Sequence, residues 1–146
     1  MRKNVILSVV GYTKNHGIPE DAVKLFTTGF LSDTDGGWRL RYSETEPETN
    51  AKSRVTLTMS DGAVEMTREG PMSTSMVFKT GQRFQGVYAT PYGQLDMGIF
   101  PSEVQYRIGS DDGEINISYQ LDLQGQHAAD HELHIRFADK ASHERA

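Results

Sequence analysis

The sequence contains no cysteine, which excludes a disulfide framework, a thiolate zinc site and a cysteine nucleophile. A chain without cysteine suits a reducing compartment, so we expect a cytoplasmic protein. Long apolar runs are also missing, and none approaches the roughly 20 residues that a membrane-spanning helix needs. The apolar run over residues 5–10 follows Arg2 and Lys3, but it is too short for the core of a signal peptide. We therefore expect no membrane partner.

Positive charge is scarce as well, since 15 lysines and arginines stand against 20 acidic residues and the formal net charge is −5. A protein that binds the nucleic acid backbone needs a concentrated basic face. Two pairs of cations share strand faces in the sequence, Arg39 with Arg41 and Lys52 with Arg54, and solvated outer positions account for such pairs. We expect no nucleic acid partner.

Apolar and polar residues alternate along most of the chain, and turn residues interrupt the alternation about every ten positions. Strands that bury one face and expose the other have this period of two. Its apolar positions include Trp38, Leu40 and Tyr42; Val55, Leu57 and Met59; Val104, Tyr106 and Ile108; Ile115, Ile117, Tyr119, Leu121 and Leu123; and Leu133, Ile135 and Phe137. At 146 residues the chain suits a single domain. The pattern predicts an all-β fold with at most one helical turn, after Pro19.

Three turns chosen on local chemistry keep the apolar faces in register. Asp61-Gly62 brings Met59 opposite Val64, Pro91-Tyr92 brings Phe84 opposite Ile99, and Asp111-Asp112 brings Ile108 opposite Ile115. A meander of about 8–10 strands has two exposed edges, which closure into a barrel removes. We therefore predict a single antiparallel, lipocalin-like or calycin-like β-barrel over residues 1–138, followed by a disordered tail over 139–146.

Three segments of the sequence are distinctive: Met76-Val77-Phe78, Tyr88-Ala89-Thr90-Pro91-Tyr92-Gly93 and Met97-Gly98-Ile99. Together with the opening strand Asn4-Val5-Ile6-Leu7-Ser8, they resemble the YwiB-like bacterial family of unknown function. The resemblance implies a calycin-like β-barrel, in agreement with the alternation. The resemblance implies no catalytic or ligand-binding residues. The Thr-Pro-Tyr-Gly segment is typical of a turn and carries no reactive group.

Histidines 127, 131 and 134 are the nearest approach to a metal cluster. On a regular strand His127 and His131 share a face and His134 points the other way, so the three converge only if the hairpin bends. The segment Asp33-Thr34-Asp35-Gly36 resembles the start of a calcium loop, but Trp38 stands where that loop needs glycine. Glutamates 44, 46 and 48 fit a charged loop. We predict no catalytic residue, no metal site and no cofactor.

The inside of the predicted barrel is the remaining candidate site. A small barrel is either filled by side chains or holds one small ligand. Arg68 continues the inward face of Val64 and Met66, so it needs a counter-charge from a carboxylate or an anionic ligand, unless its head reaches water at the rim. The predicted ligand-binding residues are Arg68, Trp38, Tyr88, Tyr106, Tyr119, Met66 and Met76.

Three functions remain open. The first is non-catalytic binding of a small, partly apolar or anionic molecule in the barrel. The alternative is a protein–protein interaction or scaffold barrel with a side-chain-filled lumen, whose outer face meets another protein or forms a homodimer. An enzyme ranks third, because no activated group is visible.

Overall fold

A computed structural model describes residues 2–15, 18–45, 50–71 and 73–141; the side chains of residues 15, 18–21, 88 and 90 lie outside this description. Ten strands account for most of the described chain and confirm the all-β prediction. They are β1 (Arg2–Asn15), β2 (Ile18–Thr34), β3 (Gly37–Thr45), β4 (Lys52–Ser60), β5 (Ala63–Glu69), β6 (Thr74–Phe78), β7 (Phe84–Thr90), β8 (Gly93–Ile108), β9 (Asp112–Leu123) and β10 (Gln126–Asp139). Within the described ranges, no helix has the length and apolar character that crossing a bilayer requires.

The strands form one antiparallel sheet in the order β6-β5-β4-β3-β2-β1-β10-β9-β8-β7. Apart from β6 and β7, every strand pairs with its successor in the chain, and β10 pairs with β1. Among the described residues, the two ends of the sheet meet at one bridge, where the Ala89 N–H donates to the Ser73 carbonyl oxygen at 3.3 Å. The sheet is thus a nearly closed, lipocalin-like barrel, as the alternation predicts.

Inward-facing apolar residues fill most of the barrel because every second position of each strand points to the axis. In β4 the buried positions Val55, Leu57 and Met59 alternate with residues that face outward. Each fully buried side chain of this size contributes roughly 1.5–3 kcal/mol through removal of apolar surface from water. The core also contains Val5, Leu7, Val9, Leu31, Leu40, Tyr42, Val64, Met66, Met76, Phe78, Met97, Ile99, Ile115, Ile117, Ile135 and Phe137.

Two of the three predicted hairpin registers are confirmed. Met59 pairs with Val64 across a turn in which Asp61 and Gly62 have φ of 52° and 77°, the left-handed pair that a type I′ turn requires. Phe84 pairs with Ile99 across the Pro91-Tyr92 turn.

The third register is wrong by two residues, since Ile108 pairs with Gly113 and not with Ile115. The β8–β9 connection is a three-residue loop over 109–111, closed by a hydrogen bond of 2.7 Å from the Gly109 N–H to the carbonyl oxygen of Asp112, the first residue of β9. A Cβ at Gly113 would overlap the ring of Phe137, so only glycine fits this position. A shift of two residues keeps every side chain on its predicted face.

The helical turn expected after Pro19 is also wrong. Strand β1 continues to Asn15 and β2 begins at Ile18, and Lys14 pairs with Pro19 after a register shift. The predicted tail is described only at its start, where β10 includes Asp139; residues 142–146 lie outside the described chain.

The antiparallel meander gives the barrel two ends. The hairpins β1–β2, β3–β4, β5–β6, β7–β8 and β9–β10 lie at one end, which we call the upper end. The hairpins β2–β3, β4–β5, β6–β7 and β8–β9 lie at the other, the lower end.

Candidate functional site

A polar cluster replaces the apolar core at the upper end of the barrel. Arg68 follows the buried residues Val64 and Met66 on the inner face of β5, and its side chain keeps 31% of its exposure. Its Nη2 donates to Oε1 of Glu44 at 3.3 Å. Glu44 follows Tyr42 on the inner face of β3, so both charges come from inward positions at strand ends.

Two buried polar atoms in this cluster have no hydrogen-bond partner among the described residues: Arg68 Nε and Thr74 Oγ1. They belong to neighbouring strands, because Arg68 and Thr74 are register partners across β5 and β6. A buried polar atom without a partner costs about 1–3 kcal/mol, and more when the group is charged. Such a pair of atoms is therefore a place where a ligand gains hydrogen bonds that the folded chain does not make.

Two tyrosines surround Arg68. The Tyr42 hydroxyl donates to Glu44 Oε1 at 3.5 Å. Burial raises the pKa of Tyr42, the Glu44 carboxylate raises it further, and the Arg68 guanidinium opposes the rise. Burial also raises the pKa of Tyr119 to about 12, again against the influence of Arg68. Both phenols are therefore neutral at physiological pH and keep a proton to donate, which Tyr42 does to Glu44.

His131 extends the cluster along β10. Its ring stacks on Tyr119 with a centroid distance of 5.2 Å, and Phe78 packs against the same tyrosine at 4.8 Å. His131 Nδ1 lies 3.4 Å from Thr13 Oγ1. Burial lowers the pKa of His131 and the carboxylate of Asp130 partly offsets this effect, so the imidazole is neutral at pH 7.

The three histidines do not converge. A register shift between His127 and Ala129 reverses the faces of β10 at this point, so the prediction that His127 and His131 share a face is wrong. His127 lies 3.1 Å from Asp130 Oδ1, and His134 Nδ1 lies 2.8 Å from Asn116 Oδ1. In the part of the chain that the structure describes, no three histidine, aspartate or glutamate side chains are placed to hold a metal ion.

The structure brings some of the predicted binding residues together and separates others. Met66 and Met76 are buried register partners, one step deeper than Arg68 and Thr74, and Tyr119 is close enough to Arg68 for its pKa to respond. Trp38 and Tyr106 lie near the lower end. Trp38 follows the β2–β3 hairpin, and the Tyr106 hydroxyl accepts a hydrogen bond of 3.1 Å from the Gly62 N–H. The side chain of Tyr88 lies outside the described residues.

Sequence reasoning missed Glu44, Thr74 and His131 as members of the cluster. The sequence predicts a charged loop at Glu44, but in the structure this residue lies in β3 and continues the alternation of Leu40 and Tyr42 by one further step. Residues 46–49 of that loop lie outside the described residues. Asp35 and Gly36 form the β2–β3 turn, as expected for a turn and not for a calcium loop.

Fold and site together define a small antiparallel β-barrel with a charged cluster inside one end. The family described as "Domain of unknown function (DUF1934)" matches residues 8–135, and the chain belongs to this family. The crystal structure of the ywiB protein from Bacillus subtilis is similar, with a TM-score of 0.82 over 94% of this chain and 92% of that chain, at 22% sequence identity. At this identity the likeness shows the fold alone. No curated protein matches the chain. The resemblance to the YwiB-like family is confirmed.

Proposed function

We propose that the protein binds, without catalysing a reaction, a small and partly apolar molecule whose anionic group enters the upper end of the barrel. The observation that carries the proposal is the pair of unpartnered buried atoms, Arg68 Nε and Thr74 Oγ1. An oxyanion placed between them accepts a hydrogen bond from each. Binding of the oxyanion gives each of the two buried atoms a hydrogen-bond partner, and both new hydrogen bonds are charge-assisted because the acceptor carries a negative charge.

The present counter-charge of Arg68 is weak and replaceable. Glu44 reaches one guanidinium nitrogen at 3.3 Å, whereas a bidentate partner takes two parallel hydrogen bonds. The side chain of Glu44 is 29% exposed, so its carboxylate has access to water when a ligand takes its place. A ligand carboxylate, sulfonate or phosphate has the required geometry.

Deeper in the barrel the lining suits an apolar tail. Met66 and Met76 lie directly below the Arg68–Thr74 pair, and unbranched methionine side chains adapt to irregular shapes. The rings of Phe78 and Tyr119 border the same region.

Binding is favoured over catalysis because the raised pKa values of Tyr42 and Tyr119 make both phenols donors and poor bases at neutral pH. The absence of cysteine supports a cytoplasmic location for this function.

The test uses anilinonaphthalene sulfonate, a partly apolar anion whose fluorescence rises in apolar sites. We expect one equivalent to bind, with about tenfold weaker affinity for Arg68→Met, which corresponds to about 1.4 kcal/mol. Arg83→Met is the matched control, because Arg83 is an exposed arginine that lies against the ring of Phe100 and belongs to neither candidate site. Equal affinity for the wild type and both variants contradicts the proposal. Native mass spectrometry of freshly purified protein then identifies any co-purified anion.

A second candidate function is self-association through the outer face. A groove of about 830 Å³ crosses this face, and Phe26 within it is 82% exposed. The groove also contains Arg136 and Glu114, so its charges complement those of a second copy turned by a two-fold axis. This function predicts a dimer in native mass spectra that Phe26→Ser converts to monomer. A monomeric wild type contradicts it and leaves the ligand proposal unaffected.

A further inference from the structure

A second concave surface lies on the outside of the barrel, where β1 to β4 run side by side. It is a groove of about 330 Å³, and its lining includes Arg2, Thr28, Phe30, Arg41, Ser43 and Arg54. The register explains the convergence: Phe30 pairs with Arg41 across β2 and β3, and Ser43 pairs with Arg54 across β3 and β4. Three guanidinium groups from three strands thus share one groove with two hydroxyl groups.

Three other arginines of the chain have an acidic partner, whereas the arginines of this groove have none among the residues that the structure describes. Elsewhere Arg68, Arg107 and Arg136 each have a carboxylate oxygen within 3.3–3.9 Å. Among the described residues, no carboxylate lies within 4.0 Å of the guanidinium groups of the groove, although Glu69 is the register partner of Arg54. On a chain with a net charge of −5, this is a local concentration of uncompensated positive charge.

One of the three arginines is already held in place. The guanidinium carbon of Arg2 lies 3.8 Å from the centroid of the Phe30 ring, in a cation–π contact. Such a contact restricts the rotamers of a long side chain, and a ligand then meets a smaller entropy cost on binding. Phe30 itself remains 41% exposed and offers apolar surface beside the charges.

We propose that this groove binds a small phosphate monoester with an aromatic or apolar substituent. The guanidinium groups of Arg2, Arg41 and Arg54 face the phosphate oxygens, the hydroxyls of Thr28 and Ser43 donate further hydrogen bonds, and the substituent covers Phe30. Arginine suits this task because its planar fork matches the oxygen spacing of phosphate. The site lies outside the barrel and shares no residue with the Arg68–Thr74 pair, so it does not rest on the proposed function.

Two observations favour a small ligand over a nucleic acid. The volume of about 330 Å³ lies at the lower limit of small-molecule sites, which span roughly 300–1,000 Å³. A polyanion also has to approach the rest of a surface whose excess charge is negative, since acidic residues outnumber basic ones by 20 to 15. A ligand with a single phosphate group contacts only the positively charged groove and does not have to approach the rest of the surface.

The experiment is a ¹H–¹⁵N NMR titration of the full chain with phenyl phosphate at constant ionic strength, with phenol as the uncharged control. We expect shifts of the amides of residues 28–30, 41–43 and 54, and no binding of phenol. Arg41→Gln and Arg54→Gln should each weaken binding about tenfold, the effect of losing one charge-assisted hydrogen bond. Arg83→Gln, which removes the same net charge from an exposed arginine that lies against the ring of Phe100 and outside this groove, should leave the affinity unchanged.

Three outcomes overturn the proposal. Equal weakening by Arg41→Gln and Arg83→Gln would mean that binding depends on the net charge of the protein and not on this groove. Shifts confined to Arg68, Thr74 and Tyr119 place the anion inside the barrel, which refutes this site and supports the proposed function instead. A DNA duplex that binds more tightly than phenyl phosphate, and loses its affinity in Arg41→Gln, assigns the groove to a polyanion.

Discussion

Thr74 and Arg68 are positions where the folded chain leaves hydrogen bonds unmade in a buried place. Thr74 is 6% exposed, and its hydroxyl has no partner among the described residues. Side chains at binding sites are commonly less than optimal for stability, because the ligand supplies the missing contacts. Replacing Thr74 by an apolar residue should therefore raise the stability of the free protein and weaken the binding of a ligand.

We predict that Thr74→Val stabilises the free protein by about 1 kcal/mol, because a methyl group replaces an unsatisfied buried hydroxyl of similar shape. The same variant should bind anilinonaphthalene sulfonate less tightly. Urea denaturation measures the first effect and a fluorescence titration the second. Thr67→Val is the control on the outer side of β5, and its stability should change by less than about 0.5 kcal/mol. A destabilised Thr74→Val would show that the hydroxyl has a partner in solution.

His131 gives a second prediction at this scale, for the dependence of stability on pH. Burial lowers the pKa of His131 in the folded protein below the value of 6.5 of an unperturbed histidine. As the pH falls through 6.5, the unfolded chain takes up a proton at this position before the folded chain does. Acidification therefore favours unfolding, and the contribution of His131 to stability is present above pH 6.5 and is lost as the pH falls towards the folded pKa.

His131→Phe keeps an aromatic ring against Tyr119 and removes the titrating group. We expect the free energy of unfolding of the wild type to fall more between about pH 7.5 and pH 5.5 than that of the variant, as measured by urea denaturation. An NMR titration of the His131 ring should give a midpoint below 6.5. Equal losses of stability in the two proteins would show that His131 is not desolvated.

At the scale of the strands, sequence reasoning succeeds where a turn is defined by its own residues. Asp61-Gly62 determines the β4–β5 register, because few other residue pairs accept two left-handed positions. The β8–β9 register depends on the ring of Phe137 beside Gly113, which belongs to a strand distant in sequence. The faces of β10 depend on the irregularity near Ala129. Contacts between residues far apart in the chain, and bulges within a strand, cannot be read from the alternation of apolar and polar residues.

In the candidate site, too, some features follow from the local sequence and others depend on contacts between distant strands. The inward direction of Arg68 follows from the alternation along β5. Thr74 meets Arg68 through the register of the β5–β6 hairpin, and Glu44 lies one strand beyond β4. Tyr119 comes from β9, on the other side of the sheet order, so it approaches Arg68 only because the barrel closes. Trp38 and Tyr106 also face inward in the sequence pattern, but the pattern does not say at which end of the barrel a residue lies.

Two strand glycines test how tightly neighbouring strands pack. A Cβ at Gly29 in β2 would fall on the carbonyl oxygen of Arg41, whereas a Cβ at Gly11 in β1 has its nearest neighbour at 4.0 Å. We predict that Gly29→Ala destabilises the protein by about 1–3 kcal/mol, because backbone has to move. Gly11→Ala should be neutral or stabilise by up to about 1 kcal/mol, through the lower entropy of the unfolded chain. Urea denaturation of both variants checks the contrast, and equal effects would contradict it.

At the scale of the whole molecule, the barrel is closed unevenly. Ladders of five or more paired residues join neighbouring strands from β6 through β1 and β10 to β7, whereas the described residues of β6 and β7 meet at the Ser73–Ala89 bridge. A region with few backbone hydrogen bonds opens at lower free energy than the rest of a fold. The seam between β6 and β7 should therefore be the first part of the barrel to open.

Native-state hydrogen exchange measures this directly. We expect the Ala89 amide to exchange through local opening, at a free energy well below that of global unfolding. The amides of Ile135 and Leu7, in the centre of the β1–β10 ladder, should exchange only through global unfolding. Equal protection at Ala89 and Ile135 would mean that the barrel is closed as firmly at the seam as elsewhere.

The pairing of β1 with β10 has a consequence for the connectivity of the chain. Val5 pairs with Asp139, so the first and last strands are neighbours and the order of the ten strands around the barrel is cyclic. A circular permutant that joins β10 to β1 by a short linker, and is cut in the β6–β7 turn at Thr80-Gly81, retains every ladder of the sheet. In that rearranged chain the weak seam separates the new termini, and all remaining neighbours in the barrel become neighbours in sequence.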